Sequence, residues 1–382
     1  MQNSTTDEIA SYLSHHDYSL AMRRMLDFSM DTGDEKLMYD AIGWSKLYRG
    51  YEKQETGKQI HDAFFTSAQS LLARLQAAGK NISSQNYALI EASAISKQYS
   101  QSSFSLKPVS LQLDTGNILG IVGENGNGKT TLLRCLSGQL ALDSGKIEYK
   151  LLKDPDYYSI RNHVVFIPQR IPKWYGLLKD NLHFSASLAG VTGSRNQLLV
   201  DFMLERLNLS GYAHLTWGQI SSGYRTRFEI ARVLLQQPRL LILDEPLANL
   251  DINAQQTILT DLKFIAKSVH HPMGVILSSQ QLHEVEKCAG KVIFIKQGNC
   301  IFKADEKQQE KISYALEIET TASRETILEI LNDDRIEIQF NGGFYTIVSP
   351  QQSSQEIIGK LVHQQVAMSY FRDITYSTKR FF

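Results

Sequence analysis

The sequence predicts an α/β fold in its middle, over residues 85–307. An all-α segment precedes it (residues 1–84) and a small α+β domain follows it (residues 308–382). Three observations carry that prediction. The apolar, β-rich run Ile118-Leu119-Gly120-Ile121-Val122 feeds a glycine-rich turn and then Leu132-Leu133-Arg134-Cys135-Leu136, which reads as helix. A second apolar run, Leu240-Leu241-Ile242-Leu243, ends in Asp244-Glu245-Pro246. It reads as a core strand delivering acids to its carboxyl end, where open α/β sheets keep their sites. Finally, apolar residues recur at helical spacing before residue 84, whereas the last segment reads as strand, helix, two strands, helix, strand.

The turn at the first junction is Gly123-Glu124-Asn125-Gly126-Asn127-Gly128-Lys129-Thr130-Thr131. Strand, glycine-rich turn, then Lys-Thr at a helix start is the P-loop arrangement, and nucleotide binding is the working assumption. Glycines let the backbone curl so that successive N–H groups point inward, and the helix N-terminus adds partial positive charge. Gly123, Asn125, Gly126, Asn127, Gly128, Lys129, Thr130 and Thr131 are therefore the expected phosphate cradle. Lys129 supplies a point charge for the β- and γ-phosphates, and the Thr130 hydroxyl is placed to bind Mg²⁺. A plain glycine turn at a strand–helix corner would need none of these polar residues.

Composition bounds the rest. The chain has 382 residues, enough for two or three domains with at least one full core. Lys+Arg and Asp+Glu both number 40, so a nucleic-acid-binding surface is not expected as the dominant feature. Cys135, Cys288 and Cys300 are widely spaced, without disulfide or metal-ligand spacing, which fits a reducing cytosol. Cys135 is expected as a small buried residue rather than a reactive thiol. The N-terminus shows no signal peptide, and no apolar run approaches membrane-spanning length.

In the first segment, Asp17 is expected to cap a helix with Tyr18, Ala21, Met22 and Met25 on one face. Thr32-Gly33-Asp34 breaks it. Leu37, Met38, Ala41, Ile42, Leu47 and Tyr48 make a second stripe. Ile60, Phe64, Leu71, Leu72 and Leu75 make a third that ends near Gly79. His15 and His16, beside a turn, are expected to be solvated. Trp44, Tyr48, Phe64 and Phe65 are expected in the core; an excess over what the bundle buries would mark a protein-docking face.

In the middle segment, Tyr99 lies in a turn upstream of the P-loop, where an exposed ring can stack on a purine or simply pack at a strand end. Val164-Val165-Phe166-Ile167 ends in Pro168-Gln169, whose amide can reach a metal or a water. Ile220-Ser221-Ser222-Gly223-Tyr224 precedes a helix expected over 225–236. It is either a second phosphate site or an ordinary N-cap. Asp244 suits Mg²⁺ through water, and Glu245 suits the base that polarises an attacking water. Ala248-Asn249-Leu250-Asp251 forms a turn, and the strand Gly274 to Ser279 ends at Gln280.

These pieces, in this order, resemble the nucleotide-binding domain of ABC ATPases over roughly residues 87–305. Gly123 to Thr131 matches the Walker A loop, Tyr99 the aromatic A-loop position and Gln169 the Q-loop. Ile220 to Tyr224 stands where the family carries its Leu-Ser-Gly-Gly-Gln signature. Leu240 to Glu245 matches Walker B with its glutamate, and Ala248 to Asp251 the D-loop. Two departures stand out. Ser222 and Tyr224 replace the signature's first glycine and its glutamine, while Ser221 and Gly223 remain. Gln280 occupies the switch-histidine position; it can donate a hydrogen bond but carries no charge. His283 lies three residues on, and His270 and His271 fall at the wrong end of the strand.

The resemblance implies two such domains facing head to tail, a homodimer or a paired homologue, with ATP sandwiched between them. Ser221 and Gly223 of one would close over the γ-phosphate held by Lys129 and Thr130 of the other. Thr130, Gln169 and Asp244 would hold Mg²⁺; Glu245 would be the catalytic base, with Gln280 at reduced effect. It further implies an ATPase of exporter type on the cytoplasmic face of the membrane, paired with a separate transmembrane permease subunit. Trp174 and Tyr175 are the expected dock for that subunit, unless both are buried, and the N-terminal helices are a candidate protein-docking module. The rival is a soluble ABC ATPase acting as a nucleotide-controlled scaffold. Translation-type members carry tandem domains and repair-type members a coiled coil or zinc modules, and neither is seen here.

Overall fold

The structure, a computed structural model, describes residues 5–52, 58–79, 87–99, 104–152, 155–268, 271–305, 314–333 and 335–375. Ile60 and His283 lie in helices, but their side chains, like all of His270, fall outside the described residues. The chain divides into two compact units, Met1–Lys303 and Ala304–Phe382.

The first unit opens with four helices: α1 (Thr5–Ser14), α2 (Tyr18–Thr32), α3 (Glu35–Glu52) and α4 (Lys58–Ala78). The Asp17 carboxylate accepts from the Leu20 N–H and caps α2, which stops at Gly33 in the left-handed region (φ +70°). Tyr18, Ala21, Met22 and Met25 are buried, as are Leu37, Met38, Ala41, Ile42, Phe64, Leu71, Leu72 and Leu75. Trp44 stacks on Phe64 with ring centroids 4.7 Å apart, so these aromatics are core. Tyr48 and Phe65 pack partly buried against them, and His15 and His16 are exposed. Leu47 departs from the expected stripe: it is 57% exposed. A helix turns 100° per residue, so a stripe fixed by Leu37, Ala41 and Trp44 carries Leu47 past its edge.

Three antiparallel strands follow in the order β2-β1-β4: β1 (Ala88–Gln98), β2 (Ser105–Asp114) and, later, β4 (Ser144–Tyr149). β3 (Ile118–Val122) is buried at every residue and leads into α5 (Lys129–Leu136). Beyond β4 come α6 (Tyr157–His163), β5 (Val164–Ile167), α7 (Leu178–Leu188), α8 (Gly193–Arg206), α9 (Ser222–Leu234), β6 (Leu240–Leu243), α10 (Ile252–Ala266), β7 (Gly274–Ser279), α11 (Leu282–Glu286), β8 (Lys291–Lys296) and β9 (Asn299–Asp305). The six-stranded sheet runs β5-β6-β7-β3-β8-β9, with parallel pairing from β5 through to β8. The fully buried β3, β6 and β7 explain why these strands read as unbroken apolar runs: helices or the antiparallel sheet cover both faces.

Helix α9 begins at Ser222, not at 225, with Ser221 as its N-cap residue. Trp174 is buried and stacks on Trp217 at 4.9 Å, its indole N–H donating to Glu229; only Tyr175, 81% exposed, faces solvent. The expected pair of docking aromatics is thus split between core and surface. Cys135 is buried, and burial pushes its thiol up to about 11, as expected of an unreactive core cysteine.

The second unit runs β10 (Tyr314–Thr320), α12 (Arg324–Leu331), β11 (Glu337–Asn341), β12 (Phe344–Ser349), α13 (Ser354–His363) and β13 (Met368–Asp373). The element order is the one expected from the sequence, and its antiparallel sheet has the order β11-β12-β10-β13, a split βαβ arrangement. Leu316, Ile318 and Ile347 of the sheet and Ile327, Leu331, Ile357 and Leu361 of the helices form its core.

Candidate nucleotide site

The site lies at the carboxyl ends of β3, β6 and β7 and is built around the turn between β3 and α5. Two glycines there are required by close approach. A Cβ on Gly123 would sit 2.3 Å from the Ile295 carbonyl oxygen. Gly128 has φ +102°, and a Cβ on it would meet the Phe104 ring at 2.5 Å. Glu124, Asn125 and Gly126 are exposed on the rim of the loop. Asn127 instead faces the scaffold. Its Oδ1 accepts from the Gln297 N–H at 2.9 Å, and its carbonyl accepts from the Gly298 N–H at 3.1 Å. The loop is thereby pinned to the β8–β9 turn, where Gln297 and Gly298 both take positive φ, as a two-residue hairpin turn needs.

Inside the loop the Lys129 ammonium is 4% exposed. It donates to the carbonyls of Gly123 (2.6 Å) and Glu124 (3.1 Å) and pairs with Glu245 Oε1 at 3.0 Å. The other oxygen of Glu245 accepts from two amides, Gln169 Nε2 and Gln280 Nε2, each at 2.8 Å. Both glutamines are exposed, while Glu245 is buried, so the carboxylate forms the floor of a polar opening. Thr130 Oγ1 donates to Asp244 Oδ2 at 2.7 Å. The Tyr99 hydroxyl lies 3.4 Å from Thr131 Oγ1, which brings the aromatic turn to the start of α5. Lys129, Thr130, Gln169, Asp244, Glu245 and Gln280, scattered over 152 positions, thus form one cluster.

One member was not foreseen. Ser278, on β7 and fully buried, accepts from the Glu245 N–H at 2.9 Å and donates to Asp244 Oδ1 at 2.8 Å. It holds both acids at once and secures Glu245 in the left-handed region (φ +46°), an uncommon conformation for a residue with a side chain. A serine inside an otherwise apolar strand run was the available signal.

Ser221 and Gly223 stand apart from this cluster. Ser221 is exposed, its hydroxyl makes no capping bond to α9, and among the described residues no hydrogen bond joins it to the P-loop of its own chain. Ser222 Oγ donates to the Asn249 carbonyl at 3.3 Å, tying the signature turn to the D-loop. Asp251, the last D-loop residue, caps α10 by accepting from the Ala254 N–H. Tyr224 is held by its ring neighbour Tyr212, to whose hydroxyl it donates at 2.9 Å.

The residues present fit a magnesium ion. A threonine hydroxyl and an aspartate carboxylate 2.7 Å apart, with a glutamine amide nearby, are hard oxygen donors few enough to leave room for the waters that Mg²⁺ retains.

Residues 106–248 match the ABC transporter family. An uncharacterised ABC transporter ATP-binding protein, YxlF of Bacillus subtilis, is 32% identical over 53% of this chain and 66% of its own length. A phosphonates import ATP-binding protein of Oceanobacillus iheyensis is 25% identical over 56% of this chain and 89% of its own. Among solved structures, cbiO1 of Clostridium perfringens, part of the transporter complex cbiONQ, shares the fold with a TM-score of 0.52. That likeness covers 56% of this chain and 88% of cbiO1, at 24% identity.

Proposed function

We propose that this chain, whose core belongs to the ABC transporter ATP-binding family and is an ATPase of that type, powers a membrane transporter by ATP-driven pairing of two nucleotide-binding domains. The observation that carries the reading is the convergence of Lys129, Gln169 and Gln280 on the Glu245 carboxylate beside the Thr130–Asp244 pair.

The geometry suggests how the chain's residues act. Lys129 pairs with Glu245 and donates to two carbonyls. A bound triphosphate would compete for the ammonium with several negative charges against the single one on Glu245, and so draw it away. Glu245 is then relieved of its ion pair and can accept from the attacking water, which it positions for in-line displacement. Gln169 and Gln280 keep its other oxygen fixed while that happens. Tyr99, beside Thr131, offers its ring to the base. Thr130, Asp244 and Gln169 are the residues that would hold Mg²⁺, and the ion would neutralise charge on the β- and γ-phosphates. Ser221 and Gly223 would serve a second domain's γ-phosphate; Ser221 is exposed, whereas Gly223 is buried at the start of α9. The exposed Ser221 hydroxyl supports this part of the reading.

The partners follow from the same reading: a second nucleotide-binding domain, and a separate permease that places the chain on the cytoplasmic face of a membrane. No helix among the described residues is long and apolar enough to cross a membrane. The exporter-type arrangement implied by the sequence stands against a relative named for phosphonate import, so direction is the finest part of the proposal.

Steady-state ATPase assays on Gln280→His and Glu245→Gln test the chemistry. Gln280→His should raise turnover, and Glu245→Gln should abolish it while leaving ATP binding. An unchanged rate in Glu245→Gln would refute the assignment of the base. Isolation from membranes with a multispanning subunit supports transport; only soluble partners would support the scaffold instead.

A further inference from the structure

The N-terminal helices meet the ATPase through a buried cluster of charges. Arg206, at the end of α8, is 2% exposed and lies between two carboxylates. Its Nε donates to Asp27 Oδ1 of α2 at 2.7 Å, and its Nη1 to Asp261 Oδ1 of α10 at 2.6 Å. Arg23 of α2 also reaches Asp261 Oδ1, at 3.3 Å. Burial opposes the Arg206 charge, yet Asp27 and Asp261 outweigh it and raise its pKa above the ordinary arginine value. Helix α2 therefore adds Asp27 and Arg23 to the direct Arg206–Asp261 bond between α8 and α10.

A third cation enters the cluster from the signature helix. Arg227, on α9 and 8% exposed, has Nε 4.0 Å from Asp261 Oδ2, short of a hydrogen bond. Among the described residues, Nε and Nη2 of Arg227 and Oδ2 of Asp261 have no hydrogen-bond partner. Buried charged groups rarely go unsatisfied, and the gap is one that a small shift of α9 toward α10 would close. Burial lowers the Arg227 pKa and the pull of Asp261 only partly restores it. On its other side the Arg227 guanidinium lies over the Tyr224 ring, 5.7 Å from the centroid. Tyr224 is the residue that replaces the signature's glutamine. Contacts therefore run from the signature turn through Tyr224 and Arg227 to Asp261, and on to Arg23 and Asp27 of the N-terminal helices.

Resting on the ATP-sandwich reading above, we propose that Arg227 is a positioning residue for the signature turn, and that the N-terminal helices set its position through Asp261. The orphaned Arg227–Asp261 pair is the slack in that linkage. In the nucleotide-sandwiched state α9 moves until the pair bonds, and the energy of closure favours Ser221 in the presented position. The N-terminal helices thus act on the transition between single and paired domains, not on the P-loop of their own chain.

The test uses full-length protein carrying Glu245→Gln, which holds ATP without turnover. Fluorescent ATP reports binding to the P-loop, and size-exclusion chromatography with light scattering reports ATP-dependent pairing. Arg227→Met should leave ATP affinity within a factor of two and weaken pairing about tenfold or more, while Arg227→Lys should recover much of it. Arg23→Gln should weaken pairing in the same direction, and its effect should largely vanish once Arg227 is methionine. In the active background, the same variants should lower kcat with KM little changed. Should Arg227→Met lower the melting temperature, Arg227→Lys and Arg23→Gln carry the comparison, since both keep the fold's packing. Unchanged pairing in the Arg227 variants, or Arg23 and Arg227 effects that multiply independently, overturns the proposal alone. A parent protein that binds ATP and never pairs overturns the sandwich reading, and this one with it.

Discussion

Replacing Ser278 by alanine removes one hydroxyl and disturbs both acids of the site. The Glu245 N–H loses its acceptor, and Asp244 Oδ1 loses its donor; Thr130 still serves Asp244 Oδ2. Ser278, Asp244 and Glu245 are at most 8% exposed, so water does not readily replace the lost partner. A buried polar group left unpaired costs about 1–3 kcal/mol, and a hydrogen bond to a charged group contributes about 1.5–3 kcal/mol. The two losses share one atom and do not add in full, which gives an expected destabilisation of about 3 kcal/mol. Catalysis should suffer separately, because the left-handed backbone of Glu245 depends on that N–H bond. Misplacing a reacting group by about 1 Å costs on the order of a hundredfold. A fall in kcat of about 10–100-fold is therefore expected, with the ATP KM little changed because the Ser278 hydroxyl bonds to the two acids and, among the described residues, to no P-loop group. Urea unfolding and steady-state ATPase assays measure the two effects, and Ser278→Thr, which restores the hydroxyl, should recover most of both. An alanine variant within about 0.5 kcal/mol of the native protein and with full turnover would refute the role given to Ser278.

Other perturbations have equally definite outcomes. Gly128→Ala forces a side chain into φ +102° and against the Phe104 ring, so nucleotide binding should be lost with destabilisation of about 1–3 kcal/mol; Phe104→Leu should relieve only the steric share. Arg206→Met takes from Asp27 and Asp261 their nearest cation, leaving the longer contacts of Arg24 and Arg23, and chemical denaturation should register a loss of about 3 kcal/mol. Stability should also fall in alkali. Burial raises the folded-state values of Cys135 to about 11, Cys288 to about 12 and Tyr149 to about 12, above ordinary values of 9.0, 9.0 and 10.0. Each group stays protonated in the folded chain after the unfolded chain has ionised. Their contributions are thus complete below pH 9 and lost as pH rises from there to about 12. Cys135→Ala should flatten the first part of that decline in a pH series of unfolding midpoints.

The glycine turn and the two acids were legible in the sequence because each is local: a few adjacent residues carry both the conformation and the chemistry. The Tyr99–Thr131 and Gln280–Glu245 proximities were legible only through motif order, since spacing alone does not bring residues 32 or 35 positions apart together. Ser278 was missed because its role needs the register of β6 beside β7, which pairs Leu243 with Leu277 and so puts the serine beside the acids. Leu47 was misplaced because a stripe drawn from apolar identity ignores the drift of a helix around its axis. Trp174 was left between a docking surface and the core for want of its partners, Trp217 and Glu229, which lie 43 and 55 residues away. The Arg206 cluster was invisible for the same reason: each of its charges reads as an ordinary surface residue until four helices converge.

Calorimetric titration of MgATP into the full chain, alongside Lys129→Ala, tests the central claim most directly. The buried ammonium should contribute about 1.5–3 kcal/mol to binding through charge-assisted hydrogen bonds, or about 10–100-fold in Kd. The native chain should therefore bind with one site per chain, and the alanine variant more weakly by that factor. A native chain that takes up no MgATP, or a Lys129→Ala variant that binds it equally well, would contradict the account.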